Sequence, residues 1–297
     1  METVDFLSSN GDLRVDARFS DITTIRIGGA IKYLVSPFDL NRLKIIVTYL
    51  KEEGIPFKMV GRGSNLVCGS DTFEGCVIRL DHLNRYDIDE DGLLYVEAGM
   101  LMPRLANVLA SQGLTNLEFA SGIPGTLGGL VFMNAGAYKR SMSDVIDSVL
   151  VLKDGEFVWM KNEELDFAYR HSIFHEHLDW VIIAAKIRVE KGDSEAIKAL
   201  MLERLTRRKA TQPLDKPSAG SCFKNPEGDF AWRLIDGVGL RGYQYNGIEV
   251  SLKHPNFILN VGQAKAEDFI STTNYIRAKV KTAYDVDLFM EVELFNC

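Results

Sequence analysis

Apolar residues recur at helical spacing over residues 40–53, where Leu40, Leu43, Ile46, Val47 and Leu50 share one face. Gly54 ends that pattern, and residues 55–60 read as a strand running into a glycine turn. Apolar runs at 76–80 and 93–98 predict strands, the second preceded by an Asp-Gly turn at Asp91 and Gly92. Residues 103–112 form a short helix with Pro103 in its first turn and Gly113 beyond its end. Strands follow at 145–152 and 156–160 around a second Asp-Gly turn (Asp154, Gly155), and another at 180–189. A charged amphipathic helix spans 193–209, and a stretch bearing Pro213 and Pro217 then reads as a linker. From Ala219 a new pattern begins; it closes with a helix at 264–283 and a terminal strand at 288–294. No internal repeat or low-complexity segment interrupts it. The fold class is α+β, with an N-terminal domain over 1–190 and a smaller C-terminal domain over 191–297.

Composition narrows the function classes. At 297 residues with 46% hydrophobic and 25% charged, the chain is an ordinary globular protein of one large or two moderate domains. The balance of 34 basic against 41 acidic residues leaves a net charge of −7, which argues against a nucleic-acid partner. No apolar run approaches the roughly 20 residues of a spanning helix. The acidic start (Glu2, Asp5) lacks the basic and apolar regions of a signal peptide, so a cytoplasmic protein with no membrane insertion is expected. Cys68, Cys76, Cys222 and Cys297 have neither zinc-site nor disulfide-framework spacing and read as reduced thiols. His171, His175 and His177 have no acidic or thiol partner at ligand spacing, so no metal is expected.

Glycine is concentrated in two segments without dinucleotide-fingerprint spacing. One is Gly61-Arg62-Gly63-Ser64-Asn65-Leu66, directly after a strand. The other is Ser121-Gly122-Ile123-Pro124-Gly125-Thr126-Leu127-Gly128-Gly129, leading into Asn134-Ala135-Gly136-Ala137-Tyr138. Such runs allow positive φ and expose N–H groups that cradle phosphate, with Ser64, Asn65, Ser121 and Thr126 adding polar side chains. Either segment alone is equally readable as a tight turn without a ligand. Two in one domain, without a Walker lysine, favour a diphosphate cofactor held by loops.

With Thr23-Thr24-Ile25-Arg26-Ile27-Gly28-Gly29, Tyr169-Arg170-His171-Ser172-Ile173-Phe174 and Pro217-Ser218-Ala219-Gly220-Ser221-Cys222-Phe223-Lys224-Asn225-Pro226, these segments resemble the UDP-N-acetylenolpyruvoylglucosamine reductases (MurB). The compact middle and short C-terminal part are similar to the type II form. The resemblance implies a two-part FAD-binding domain of the vanillyl-alcohol-oxidase/p-cresol-methylhydroxylase type before a smaller substrate-binding domain. It implies non-covalent FAD, NADPH as hydride donor, UDP-N-acetylglucosamine enolpyruvate as substrate, and a monomer serving peptidoglycan precursor synthesis. It assigns Gly61, Arg62, Gly63, Ser64, Asn65, Leu66, Ser121, Gly122, Ile123, Pro124, Gly125, Thr126, Gly128, Asn134, Ala135 and Gly136 to the cofactor.

The implied catalytic set is Ser221, Arg170 and Glu291. A positioned hydroxyl can protonate an enolate carbon, and a planar guanidinium can hold a carboxylate bidentately. Tyr169, Lys224 and Asn225 are implied in substrate binding. By residue type alone, Ser221 is more often a turn serine, Arg170 a surface ion pair and Glu291 a solvent-facing strand carboxylate. The Leu288, Met290, Val292, Leu294 alternation places Glu291 on the opposite face from those four apolar residues. Phe289 stands where the family commonly has a second glutamate, Glu293 where it has arginine, and 245–249 departs from its glycine- and alanine-rich run. Cys222 is expected to pack, since successive extended side chains point oppositely. Two other readings remain: a flavin oxidase of the same fold, and a non-catalytic nucleotide-sugar-binding module.

Overall fold

The structure, a computed structural model, describes residues 2–88 and 93–297, so the turn expected at Asp91 and Gly92 lies outside the described residues. The chain forms two compact units that no single cut in the sequence separates. One comprises Met1–Val15, Tyr33–Arg62 and Gly75–Thr206; the other comprises Asp16–Lys32, Gly63–Glu74 and Arg207–Cys297.

The first unit contains a five-stranded antiparallel sheet ordered Glu156–Lys161, Ile146–Lys153, Val181–Arg188, Leu93–Glu97 and Tyr86–Ile88. Asp154 and Gly155 both take positive φ (51° and 79°), the two-residue turn whose twist matches a hairpin. The helix Leu40–Glu52 starts where the Asp39 carboxylate accepts the Arg42 N–H at 2.8 Å. It buries Leu43, Ile46, Val47 and Leu50, as the spacing predicts. Helix Leu127–Phe132 packs on the strand Val181–Arg188, and helix Ser194–Thr211 sets Ile197 and Met201 against Ala106 and Ala110.

The second unit has its own core around Phe223, Phe269, Ile235 and Ile276. Its antiparallel sheet runs Ser218–Ser221, Phe257–Asn260, Ile248–Val250 and Gln244–Tyr245, and Ala266–Tyr284 is its long helix. The unusual 245–249 segment is a hairpin tip: Tyr245 faces Ile248 across Asn246 and Gly247, both at positive φ. Behind it the buried Glu249 carboxylate accepts Lys216 Nζ (3.2 Å) and Gln244 Nε2 (2.9 Å).

The single strand expected at 288–294 is not formed. Met290 makes one bridge to Phe223, and a strand, Glu293–Phe295, then pairs in parallel with Leu66–Cys68. The cause is a change of hydrogen-bond partner after Val292, which also changes the phase of the side chains. Leu288 and Val292 are buried as expected, yet Leu294 is 40% exposed.

Gly69 sits where this parallel pair is tightest: its N–H donates to Phe295 O and its own carbonyl accepts the Gly29 N–H. A Cβ there would lie 2.6 Å from the Asn296 carbonyl carbon. Gly69→Ala should therefore cost about 1–3 kcal/mol in urea unfolding. Gly54→Ala, at φ +64° in open space, should cost only the ~1–2 kcal/mol of a left-handed alanine.

Candidate active site

Ser221 ends the strand Ser218–Ser221, and a bulge precedes it. Ser218 faces Leu259 and Ser221 faces Phe257, so this strand carries one residue more than its partner. Gly220 absorbs it at φ +80°, a conformation that costs other residues strain. The next residue goes inward: Cys222 is 1% exposed, with Sγ 3.9 Å from Met290 Sδ. Ser221, on the alternate face, is only half-buried.

Asn256 fixes this segment. Its main-chain carbonyl accepts the Cys222 N–H (2.7 Å), its Nδ2 donates to Phe223 O (2.8 Å) and its Oδ1 accepts the Phe223 N–H (2.9 Å). On the other edge, Cys222 O accepts the N–H groups of Glu291 (2.8 Å) and Val292 (3.4 Å), and Lys224 N–H donates to Phe289 O (2.9 Å). Folding thus sets Glu291 beside the main chain that follows Ser221. Glu291 is half-buried rather than on an open solvent face. Asn225 is exposed, and its Oδ1 accepts the Ala231 N–H, holding the start of the helix Ala231–Gly237.

Arg170 lies in the first unit, in a turn closed by reciprocal hydrogen bonds between Ala168 and His171 (3.2 Å each way). Its φ of 56° is left-handed, and its Nη2 donates to Gly136 O at 3.4 Å. The guanidinium lies 5.2 Å from the centre of the Tyr169 ring, which is 54% exposed. Buried Asn134 braces this turn: Nδ2 donates to Ala168 O (2.9 Å) and Oδ1 accepts the Ser143 N–H (2.9 Å). Next to it Tyr138 donates to Arg204 O on the helix Ser194–Thr211 (3.0 Å).

The glycine segments differ. In the first, the N–H groups of Gly61, Arg62, Gly63 and Ser64 have no protein acceptor among the described residues. Gly63, at φ +59°, closes on the Thr23 main chain, where a Cβ would lie 2.8 Å from its Cα. A row of N–H groups at a turn that admits no side chain suits a diphosphate such as that of FAD. In the second, Ile123, Gly125, Leu127 and Gly128 donate to Ala120, Ile123, Met100 and Ala98, and the Ser121 hydroxyl donates to Glu118 O. That loop already spends half of its main-chain donors on these protein acceptors. Close approach explains two of its glycines: a Cβ on Gly125 would stand 2.5 Å from Leu130 Cδ1, and one on Gly128 3.2 Å from Ala98 Cβ.

A reductase from Caldanaerobacter subterraneus is 41% identical over 96% of this chain and 94% of its own length, and one from Thermotoga (strain RQ2) matches equally; both are UDP-N-acetylenolpyruvoylglucosamine reductases. The chain belongs to the UDP-N-acetylenolpyruvoylglucosamine reductase family. Two sequence profiles agree, an FAD binding domain over residues 31–161 and the family's C-terminal domain over 212–295. The crystal structure of MurB from Thermus caldophilus superposes with a TM-score of 0.82 at 33% identity, covering 96% of this chain and all of that one.

For a family member, two features escaped the sequence. Asn256, in His254-Pro255-Asn256-Phe257, reads as an ordinary turn residue, and only its place beside an apolar run hints at a buried amide. The histidines also differ from expectation, because folding supplies His171 with the acidic neighbours that sequence spacing does not. Its Nε2 lies 3.3 Å from Asp166 Oδ2 and 3.9 Å from Glu176 Oε1. Both carboxylates are exposed, as in a surface ion pair. No helix among the described residues is long and apolar enough to cross a membrane.

Burial pushes the Cys76 thiol up to about 12, and it raises the Cys222 thiol too, with the Glu291 charge adding to the effect. Ellman's reagent at pH 8 should therefore label Cys297 in the folded protein and reach Cys68, Cys76 and Cys222 only on unfolding. Above the ordinary thiol value of 9 the unfolded chain releases protons that the folded chain keeps. Urea midpoints should consequently hold up to pH 9 and fall as the pH rises toward 12.

Proposed function

We propose that this chain reduces the enolpyruvyl ether of UDP-N-acetylglucosamine enolpyruvate to UDP-N-acetylmuramate, with NADPH as hydride donor, for peptidoglycan precursor synthesis. The observation that carries the reading is the bulged, doubly clamped Ser221 segment with Glu291 hydrogen-bonded to its neighbour. It brings the main chain of Glu291 beside the segment that carries Ser221, from distant parts of the chain. We place the enzyme in the cytoplasm as a monomer, with the FAD-binding part drawn mainly from residues 1–190 and the substrate-binding part mainly from 191–297.

Bound FAD, held without a covalent link, would supply the two-electron carrier between NADPH and substrate. The residues of both glycine segments, with Asn134, Ala135 and Gly136, would enclose it, the Gly61–Ser64 N–H groups taking the diphosphate. Hydride reaching the terminal methylene carbon leaves negative charge on the carbon beside the carboxylate. Arg170 binds that carboxylate and stabilises the enolate as charge develops. The Ala168–His171 turn holds the backbone that carries Arg170, and the Gly136 carbonyl accepts one guanidinium N–H. Ser221 then delivers its hydroxyl proton to the enolate carbon, and Glu291 completes the proton-handling pair. Lys224 suits the diphosphate of the sugar nucleotide, with Tyr169 and Asn225 as further contacts.

Two variants test these roles. Ser221→Ala should keep FAD and accept hydride from NADPH at close to the parental rate, while its reoxidation by substrate falls roughly 10²–10⁴-fold. Cys222→Ala should turn over nearly normally, because the thiol lies in the core. A dead Cys222→Ala beside an active Ser221→Ala would make the thiol the acid.

Arg170→Lys keeps the charge and loses the planar fork. Stopped-flow absorbance should show reoxidation by substrate slowed far more than reduction by NADPH. Equal losses in both half-reactions would make Arg170 a structural residue or a nicotinamide contact.

A further inference from the structure

We propose that the Asn65 side chain is a positioning residue for Glu291, pinning the main chain where the C-terminal segment exchanges one strand partner for another. The proposal rests on the reading of Glu291 as part of the proton-handling pair. It gives Asn65 a task beyond the cofactor loop in which it sits.

The exchange is sharp. Up to Val292 the segment pairs with the chain after Ser221, through the Met290–Phe223 bridge and the two N–H groups aimed at Cys222 O. From Glu293 it belongs to the parallel ladder on Leu66–Cys68, which opens with Glu293 N–H donating to Asn65 O at 3.0 Å. The Glu291 carbonyl falls between the two regimes. Asn65 Nδ2 donates to it at 3.0 Å. One residue thus holds the exchange point from both sides, by its main-chain carbonyl and by its side-chain amide.

Residue chemistry explains why asparagine suits this place. Aspartate has the same reach, but ionised it offers no donor and would set a carboxylate against the Glu291 carbonyl. Alanine offers no partner at all. Without this bond the peptide after Glu291 can turn about the break in pairing, and the carboxylate turns with it. Catalytic groups need to be held to within a fraction of an ångström.

The same loop also steadies the serine side of the pair. Thr24 N–H donates to Gly63 O (3.2 Å), and the Thr24 hydroxyl donates to Ser218 O (2.6 Å) at the start of the strand that ends in Ser221. The segment 63–65 is therefore tied to both chains that carry the pair.

The test uses the FAD-loaded enzyme. Asn65→Ala and Asn65→Asp should fold and, assayed at saturating FAD, keep the parental KM for NADPH. Their kcat and single-turnover reoxidation by the enolpyruvyl substrate should fall about 10–100-fold, the scale of a misplaced catalytic group. Amide exchange at Glu291 and Val292, followed by mass spectrometry without substrate, should accelerate in both variants. Adding Asn65→Ala to Glu291→Gln should slow reoxidation little beyond Glu291→Gln alone. The proposal is overturned if the side chain serves the cofactor: FAD affinity would then drop while reoxidation of the fully loaded variant stays parental. It is equally overturned if the two substitutions multiply independently. Failure of the underlying function is a separate result, in which the parent enzyme itself is not reoxidised by the enolpyruvyl substrate.

Discussion

A buried main-chain N–H without an acceptor costs about 1–3 kcal/mol, so a buried chain that changes neighbours must find partners at every step. In the C-terminal unit this requirement converges on one carbonyl, that of Cys222. It accepts the N–H groups of both Glu291 and Val292, the last residues before the C-terminal segment leaves for the strand Leu66–Cys68. The parallel pairing, the tight packing at Gly69 and the placing of Glu291 beside the Ser221 strand all follow from that handover. A straight strand over the same residues would leave the glutamate on a solvent face and the apolar residues in unbroken alternation.

The regular elements were legible because each rests on a local rule. The helix Leu40–Glu52 follows from 3.6-residue spacing and ends at Gly54, and the hairpin at Asp154 and Gly155 follows from a turn that needs positive φ at both positions. The family motifs were legible for another reason, since they combine residue types that no folding rule requires together. The broken strand at 288–294 was not legible: its alternation is intact in sequence, and its interruption depends on Cys222, far away along the chain. The acidic neighbours of His171 were hidden too. Asp166 and Glu176 flank it in sequence without regular ligand spacing, and a turn followed by a short helical segment brings them in.

Amide side chains do much of the framing that sequence patterns miss. Asn134 joins the Arg170 turn to Ser143, Asn256 grips Phe223 by both its N–H and its carbonyl, and Asn65 holds Glu291. Asparagine carries a donor and an acceptor at one reach, so it can close two gaps in the backbone pairing at once. Read from sequence, each looks like a loop former. Read in the fold, each replaces a ladder rung where regular pairing stops.

The bulge at Gly220 has a consequence for how much the chain can vary. A strand's facing normally passes from residue to residue, so an added or lost residue anywhere along it turns every later side chain over. Here the extra residue takes up the slip between Ser218 and Ser221, while Asn256 sets the register afresh at Cys222 and Phe223. The facing of the serine is therefore insulated from the length of the chain that leads to it. The stretch between the helix Ser194–Thr211 and this strand can lengthen or shorten without turning the hydroxyl into the core.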